Sequence, residues 1–212
     1  MEIDASQIVD IMKRECYTKS YRKRGTPPPH NRERKEKENM KGSTKKLVFT
    51  ALFTALIYIG TRYIQIPLPL GYFNVGDCFI LVLAWSVGGI YGMLGAGLAA
   101  GLADVLSGFS VYAPATVAIK AVMALVAYLG YLIVRKKSRP KKMIGYAVSG
   151  VIAELIMVAG YFAFESYLYG VPGATGAIVG NLMQGAVGVV VGLLLIAFLE
   201  GTNLVKKMRT SK

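Results

Sequence analysis

Residues 78–109 read CFILVLAWSVGGIYGMLGAGLAAGLADVLSGF, and how often this run crosses a membrane decides the fold. At about 32 residues it is too long for a single span of about 20 and short for two. Its flanks settle the choice. A lysine-rich stretch ends at Lys46, and Arg135–Lys142 carries Arg135, Lys136, Lys137, Arg139, Lys141 and Lys142. Basic flanks of apolar runs stay on the cytoplasmic side. One crossing within 78–109 would put 135–142 outside, whereas two crossings keep it inside. The reading is therefore two short helices, 78–90 and 91–108, turning at Gly88-Gly89.

The other spans follow from this one. Leu47–Ile64 is a first helix entered from Lys45-Lys46. Gln65–Asp77 holds two prolines and two glycines, which forbid a continuous helix. The loop is nevertheless apolar and aromatic, so it is expected to fold back as an outer lid. Pro114 suits the first turn of a helix running to about Val134. Met143–Tyr169 and Ala174–Leu199 form the last two helices, separated by Gly170-Val171-Pro172-Gly173. The expected fold is an all-α membrane protein, a six-transmembrane-helix bundle over residues 46–200 with an apolar outer lid loop. Residues 1–45 read as a charged, largely disordered cytoplasmic tail, broken by Pro27-Pro28-Pro29 and able to touch anionic lipid. Residues 201–212 read as a basic cytoplasmic C-terminus.

Composition agrees. The 212 residues are 54% apolar with 24 glycines, a membrane-protein profile. The net charge of +13 does not imply nucleic acid. All of the lysines and arginines except Arg62 and Lys120 lie in 1–46, 135–142 or 201–212, with no aromatic-rich basic surface beside them. Cys16 and Cys78 sit in a polar tail and an apolar run, and the one histidine is His30. No disulfide, metal site or cofactor is expected. The polar opening stretch does not read as a cleavable signal peptide.

Charged and amide side chains at membrane depth are costly and mark functional positions. With a rise of about 1.5 Å per residue, Asp104 lies about 6 Å from the outer end of its helix and Lys120 about 9 Å into the next. On the same scale Glu165 lies about 6–8 Å from the outer end of the fifth helix, with Asn181 and Gln184 about 10 and 15 Å into the sixth. Asn181 and Gln184 share one helix face. Asn74 and Asp77 stand at the outer mouth, and Tyr112 precedes Pro114. These residues, Asn74, Asp77, Asp104, Tyr112, Lys120, Glu165, Asn181 and Gln184, are the expected substrate-binding set, in a pocket open to the outside. Asp104 is expected to orient Lys120 from behind; the competing reading is that the two simply neutralise each other. Glu154 is the exception, near mid-membrane. A pore would need polar lining at every depth.

Small residues recur at Gly88, Gly92, Ala96 and Ala100, which allows close helix packing. Ala51-Leu52-Phe53-Thr54-Ala55 gives a further small pair near the cytoplasmic end of the first span. No Gly-x-x-x-x-Gly-Lys-Ser/Thr phosphate loop is present.

The six short helices, the Ala51-x-x-x-Ala55 pair and Gly71-Tyr72-Phe73-Asn74-Val75-Gly76-Asp77 resemble the substrate-binding S components of energy-coupling-factor (ECF) vitamin transporters. The run from Ala103-Asp104 through Tyr112-Ala113-Pro114-Ala115-Thr116 to Lys120 is similar to their riboflavin-transporter-like branch, near pyridoxine and hydroxymethylpyrimidine carriers. The resemblance covers about residues 44–200; the charged tail departs from it. It implies capture of a small heteroaromatic vitamin or precursor outside the cell. It also implies docking through Ala51 and Ala55 onto a transmembrane T protein that carries two ATPase subunits. Two other classes remain as comparisons. A self-sufficient secondary transporter would draw on Glu154, and an intramembrane enzyme would use Asp77 and Asp104 as acid and base.

Overall fold

The computed structural model describes residues 29–67, 72–202 and 204–205, with side chains from Gly42 onward. The expected tail residues 1–28, the loop residues 68–71, Asn203 and the basic residues 206–212 lie outside the described residues. The chain divides into two units, residues 1–44 with 211–212, and residues 45–210. The second holds the apolar helices and the candidate site.

Five helices and one small ribbon make up the described chain. They are α1 (Pro29–Arg62), β1 (Gln65–Pro67), β2 (Tyr72–Asn74), α2 (Gly76–Ser86), α3 (Gly89–Leu106), α4 (Ala113–Val134) and α5 (Arg139–Gly201). Gly170 breaks α5, with φ 75° and ψ 161°. These are angles that only glycine adopts readily, and the helix continues as a second arm carrying Pro172 in its first turn. The break falls where the sequence placed its outer turn. Among the described residues, α3, α4 and α5 are long and apolar enough to cross a membrane.

α1 takes in the mixed-charge residues from Pro29 to Lys45, the part of the expected tail that the structure describes. Lys, Arg and Glu are good helix formers, and Glu33 and Lys37 stand at the supporting i, i+4 spacing. The helix expected over 78–90 is shorter: α2 has 11 residues. At about 1.5 Å per residue it cannot by itself cross a hydrocarbon core of about 30 Å. Ten of those 11 residues are buried, Phe79 alone being partly exposed. A helix apolar on every side belongs inside a bundle. Burial of α2 matters because Asp77, at its N-terminus, is thereby carried into the protein.

The turn at Gly88-Gly89 occurs as expected, both residues having φ 59°. The small residues of α3 do pack internally. A Cβ on Gly101 would lie 2.4 Å from Val117 Cγ2, and one on Gly97 would lie 2.8 Å from the Val117 carbonyl oxygen. α3 and α4 therefore approach closely enough that residues near the end of α3 and the start of α4 face one space. Trp85 is a core residue. It stacks on Tyr146 at 5.1 Å and donates from Nε1 to Ser149 Oγ at 3.2 Å.

The lid loop contains a ribbon that the prolines and glycines had concealed. β1 and β2 pair antiparallel, with Gln65 opposite Asn74 and Ile66 opposite Phe73. Gln65 Nε2 donates to Thr61 O and to Ser107 Oγ, at 2.8 and 3.0 Å, which ties the ribbon to α1 and to the end of α3.

Candidate substrate site

Asn74, Asp104, Tyr112, Lys120, Glu165, Asn181 and Gln184 line one cavity beneath the ribbon. Its volume is about 40 Å³. That is room for only a few waters, so a larger occupant requires the walls to move. Asp77 lies just behind the wall. The eight residues expected to bind substrate thus converge from β2, α2, α3, α4 and both arms of α5, Tyr112 lying immediately before α4.

A chain of buried hydrogen bonds closes the cavity floor. Lys120 Nζ donates to Asp77 Oδ1 at 2.5 Å, both side chains being almost wholly buried. Gln184 Nε2 donates to Asp77 Oδ2 at 2.7 Å. Gln184 Oε1 then accepts from Asn74, from the backbone N–H at 3.0 Å and from Nδ2 at 3.1 Å. Asn74 Oδ1 accepts from Gly76 N at 2.9 Å, satisfying one of the free donors at the start of α2. The sequence connects these groups through local rules: Asp77 in the first turn of α2 complements the helix dipole, and Asn74 caps the same turn. Tyr161 lies against Lys120 with its ring centroid 5.5 Å from Nζ, in cation–π range.

This corrects the pairing expected for Lys120. Its partner is Asp77, not Asp104. Asp104 Oδ1 instead accepts from the Tyr72 hydroxyl at 2.5 Å. Burial, followed by the adjacent Asp104 carboxylate, holds the Tyr72 phenol above its usual range, so it stays a donor. Asp104 therefore fastens the ribbon.

The cavity mouth is aromatic. Tyr72 and Phe109 lie 5.2 Å apart between ring centroids, Phe109 and Tyr112 6.2 Å, and Tyr112 and Phe164 5.4 Å. Tyr112 is buried, which removes it from an aromatic belt facing lipid headgroups. Phe109, Thr116 and Tyr161 also line the cavity and were absent from the expected set. Helical spacing could have found two of them. Thr116 is four residues before Lys120, and Tyr161 four before Glu165, so each shares the face of a residue already singled out. The Thr116 Oγ1 and Tyr161 OH atoms are 3.0 Å apart and hydrogen-bonded, joining α4 to α5.

Glu154 is set apart from this cavity. It is buried against the second arm of α5, where Cβ atoms on Gly185 and Gly188 would lie 2.9 Å from its Cβ and 2.7 Å from its Oε1. Ala51 and Ala55 are exposed, while Phe53 and Ile57 on the opposite side of α1 are buried in the core.

Apolar helices enclosing a small polar cavity, roofed by a ribbon, define a helical membrane protein built to hold a small solute. The sequence matches the family model of the ECF-type riboflavin transporter S component over residues 41–201, and the chain belongs to that family. It is therefore a membrane substrate-binding subunit of vitamin uptake, from a transporter family rather than an enzyme family. Members work with a T protein and an ATPase module. An uncharacterized protein in the gap 3′ region of Pyrococcus woesei is 28% identical over 138 residues, spanning 64% of this chain and 88% of that protein.

Proposed function

We propose that this S component captures a small heteroaromatic vitamin or precursor, pyridoxine-like or hydroxymethylpyrimidine-like, in the cavity under the β1–β2 ribbon. A three-ring flavin fits the reading less well. The observation that carries the proposal is the convergence of Asn74, Asp104, Tyr112, Lys120, Glu165, Asn181 and Gln184 on one cavity. The small volume of that space favours a one- or two-ring ligand over a three-ring flavin, the walls moving to admit it. The loaded subunit then docks through α1 onto the T protein, and ATP hydrolysis in two partner ATPases drives release inward. Self-sufficient secondary transport would show instead as uptake by the purified chain without those ATPases.

Asn181 makes no hydrogen bond among the described residues, so its amide is available to a ligand, unlike that of Gln184. A buried polar group deprived of its partner costs about 1–3 kcal/mol, and 1.4 kcal/mol is about tenfold in affinity. Asn181→Leu is expected to weaken binding of the co-purifying vitamin by about ten- to a hundredfold, with thermal stability retained. Titration calorimetry on both proteins checks this. Equal affinities would remove Asn181 from the site.

In our reading α1, α3, α4 and the two arms of α5 cross the membrane, and the short α2, buried within the bundle, carries the chain inward from the ribbon to the Gly88-Gly89 turn, so that the topology is that of six passes. Both termini and residues 135–142 then face the cytoplasm. The basic charge at Arg135, Lys136, Lys137, Arg139, Lys141 and Lys142 supports this orientation. A cysteine introduced as Ser138→Cys, in a chain lacking Cys16, should resist membrane-impermeant maleimide in intact cells and react after lysis. Labelling of intact cells would reverse the topology.

A further inference from the structure

The geometry points to a ligand that presents a nitrogen donor, an amino group or protonated ring nitrogen on a small heteroaromatic ring, to the Glu165 carboxylate. This rests on reading the cavity as the vitamin site. The walls divide into groups already matched and groups left open. Lys120, Gln184, Asn74 and Asp104 are engaged with the protein, as are Thr116 and Tyr161 with each other. Glu165 is different. It is 3% exposed, it lines the cavity, and its Oε2 is buried without a hydrogen-bond partner.

A carboxylate only accepts hydrogen bonds, so its match must be a donor or a cation. Among the described residues no hydrogen bond reaches Glu165 Oε2, and the cavity's lysine is committed to Asp77 at 2.5 Å. The charge balance points the same way. Asp104 and Glu165 face the cavity, Asp77 stands behind its wall, and Lys120 offsets one of the three. A phosphate ester or carboxylate ligand would add negative charge to this excess. A ring bearing acceptors alone would leave Glu165 buried and unmatched, which is costly. The Tyr112 hydroxyl, also buried without a hydrogen bond and lining the same cavity, can accept or donate to a neighbouring ring substituent. The Tyr72–Phe109–Tyr112 wall supplies flat surfaces for the ring.

The test is a binding panel on the purified full chain in nanodiscs, read by calorimetry. The probes are 4-amino-5-hydroxymethyl-2-methylpyrimidine, the same pyrimidine with hydrogen in place of the amino group, pyridoxine, pyridoxine 5′-phosphate and riboflavin. The aminopyrimidine should bind about ten- to a hundredfold more tightly than its deamino analogue, and the phosphate ester should bind worse than pyridoxine. Glu165→Gln should erase the preference for the amino group. The comparison between ligands on the unaltered protein stands even where that variant folds poorly. Riboflavin binding tightly, or equal affinity for amino and deamino pyrimidines, would overturn the nitrogen-donor inference and leave the vitamin site in place. Failure of every probe to bind would overturn the reading of the site itself.

Discussion

Lys120→Met is expected to destabilise the folded protein by about 3–5 kcal/mol, because it strips the counter-charge from a buried Asp77. Both partners are almost entirely shielded, at 3% and 1% side-chain exposure, so water cannot take over from the lost ammonium. The loss should be largely reversed in the double variant Asp77→Asn/Lys120→Met. There the carboxylate is gone, while a side-chain carbonyl oxygen remains to accept from Gln184 Nε2, now 2.7 Å from Asp77. Removing both charges of a buried pair is often close to neutral. A second double variant, Asp104→Asn/Lys120→Met, separates the two candidate partners. If Asp77 is the partner, this combination should show no rescue, and the two single effects should add within about 0.5 kcal/mol. Chemical denaturation in detergent, followed by the near-ultraviolet signal of Trp85, reports on the parent, the Lys120→Met and Asp104→Asn single variants and both double variants. Rescue by the Asp104 change and none by the Asp77 change would restore the pairing that the sequence had suggested.

That pairing marks the boundary of what the sequence made legible. Local signals read well. Gly88-Gly89 gave the turn between α2 and α3 because both residues need positive φ. Pro114 gave the start of α4, and Gly170 the break in α5. Depth along each helix was also legible, since rise per residue is fixed. It grouped the cavity residues from five elements without any knowledge of their contacts. What depth does not give is azimuth between helices. Asp104, the acid nearer to Lys120 in sequence, was the expected partner, whereas Asp77 lies 43 residues away. The buried position of α2 reversed the choice. The ribbon was hidden for a related reason: Gln65 pairs with Asn74 across a stretch of sequence whose prolines and glycines signal only the absence of helix. Phe109 entered the cavity wall from a non-helical segment, where no periodicity predicts which way a ring points.

Ala51→Trp and Ala55→Trp are each expected to abolish ATP-driven uptake while leaving vitamin binding within about twofold of the parent, as for a surface change remote from the site. The argument begins with the two faces of α1. Phe53 and Ile57 are buried at 5% and 0% exposure, which fixes how the helix is rotated. Ala51 and Ala55, one turn apart, are thereby left on the exposed side. In a membrane, helices gain little from apolar contact alone, because lipid is equally apolar; close backbone approach across small residues is what holds them together. An indole at either position would keep a partner helix from approaching. The cavity lies elsewhere, walled by β2, α3, α4 and α5, with only Thr61 reaching it from the far end of α1. Binding and uptake should therefore separate. Uptake of radiolabelled vitamin into proteoliposomes containing the complete transporter measures one, and calorimetry on the isolated subunit measures the other. Ala51→Leu and Ala55→Leu should give intermediate uptake if the effect is steric. Full uptake in both tryptophan variants would exclude this face of α1 from docking, and parallel loss of binding would show instead that α1 supports the cavity.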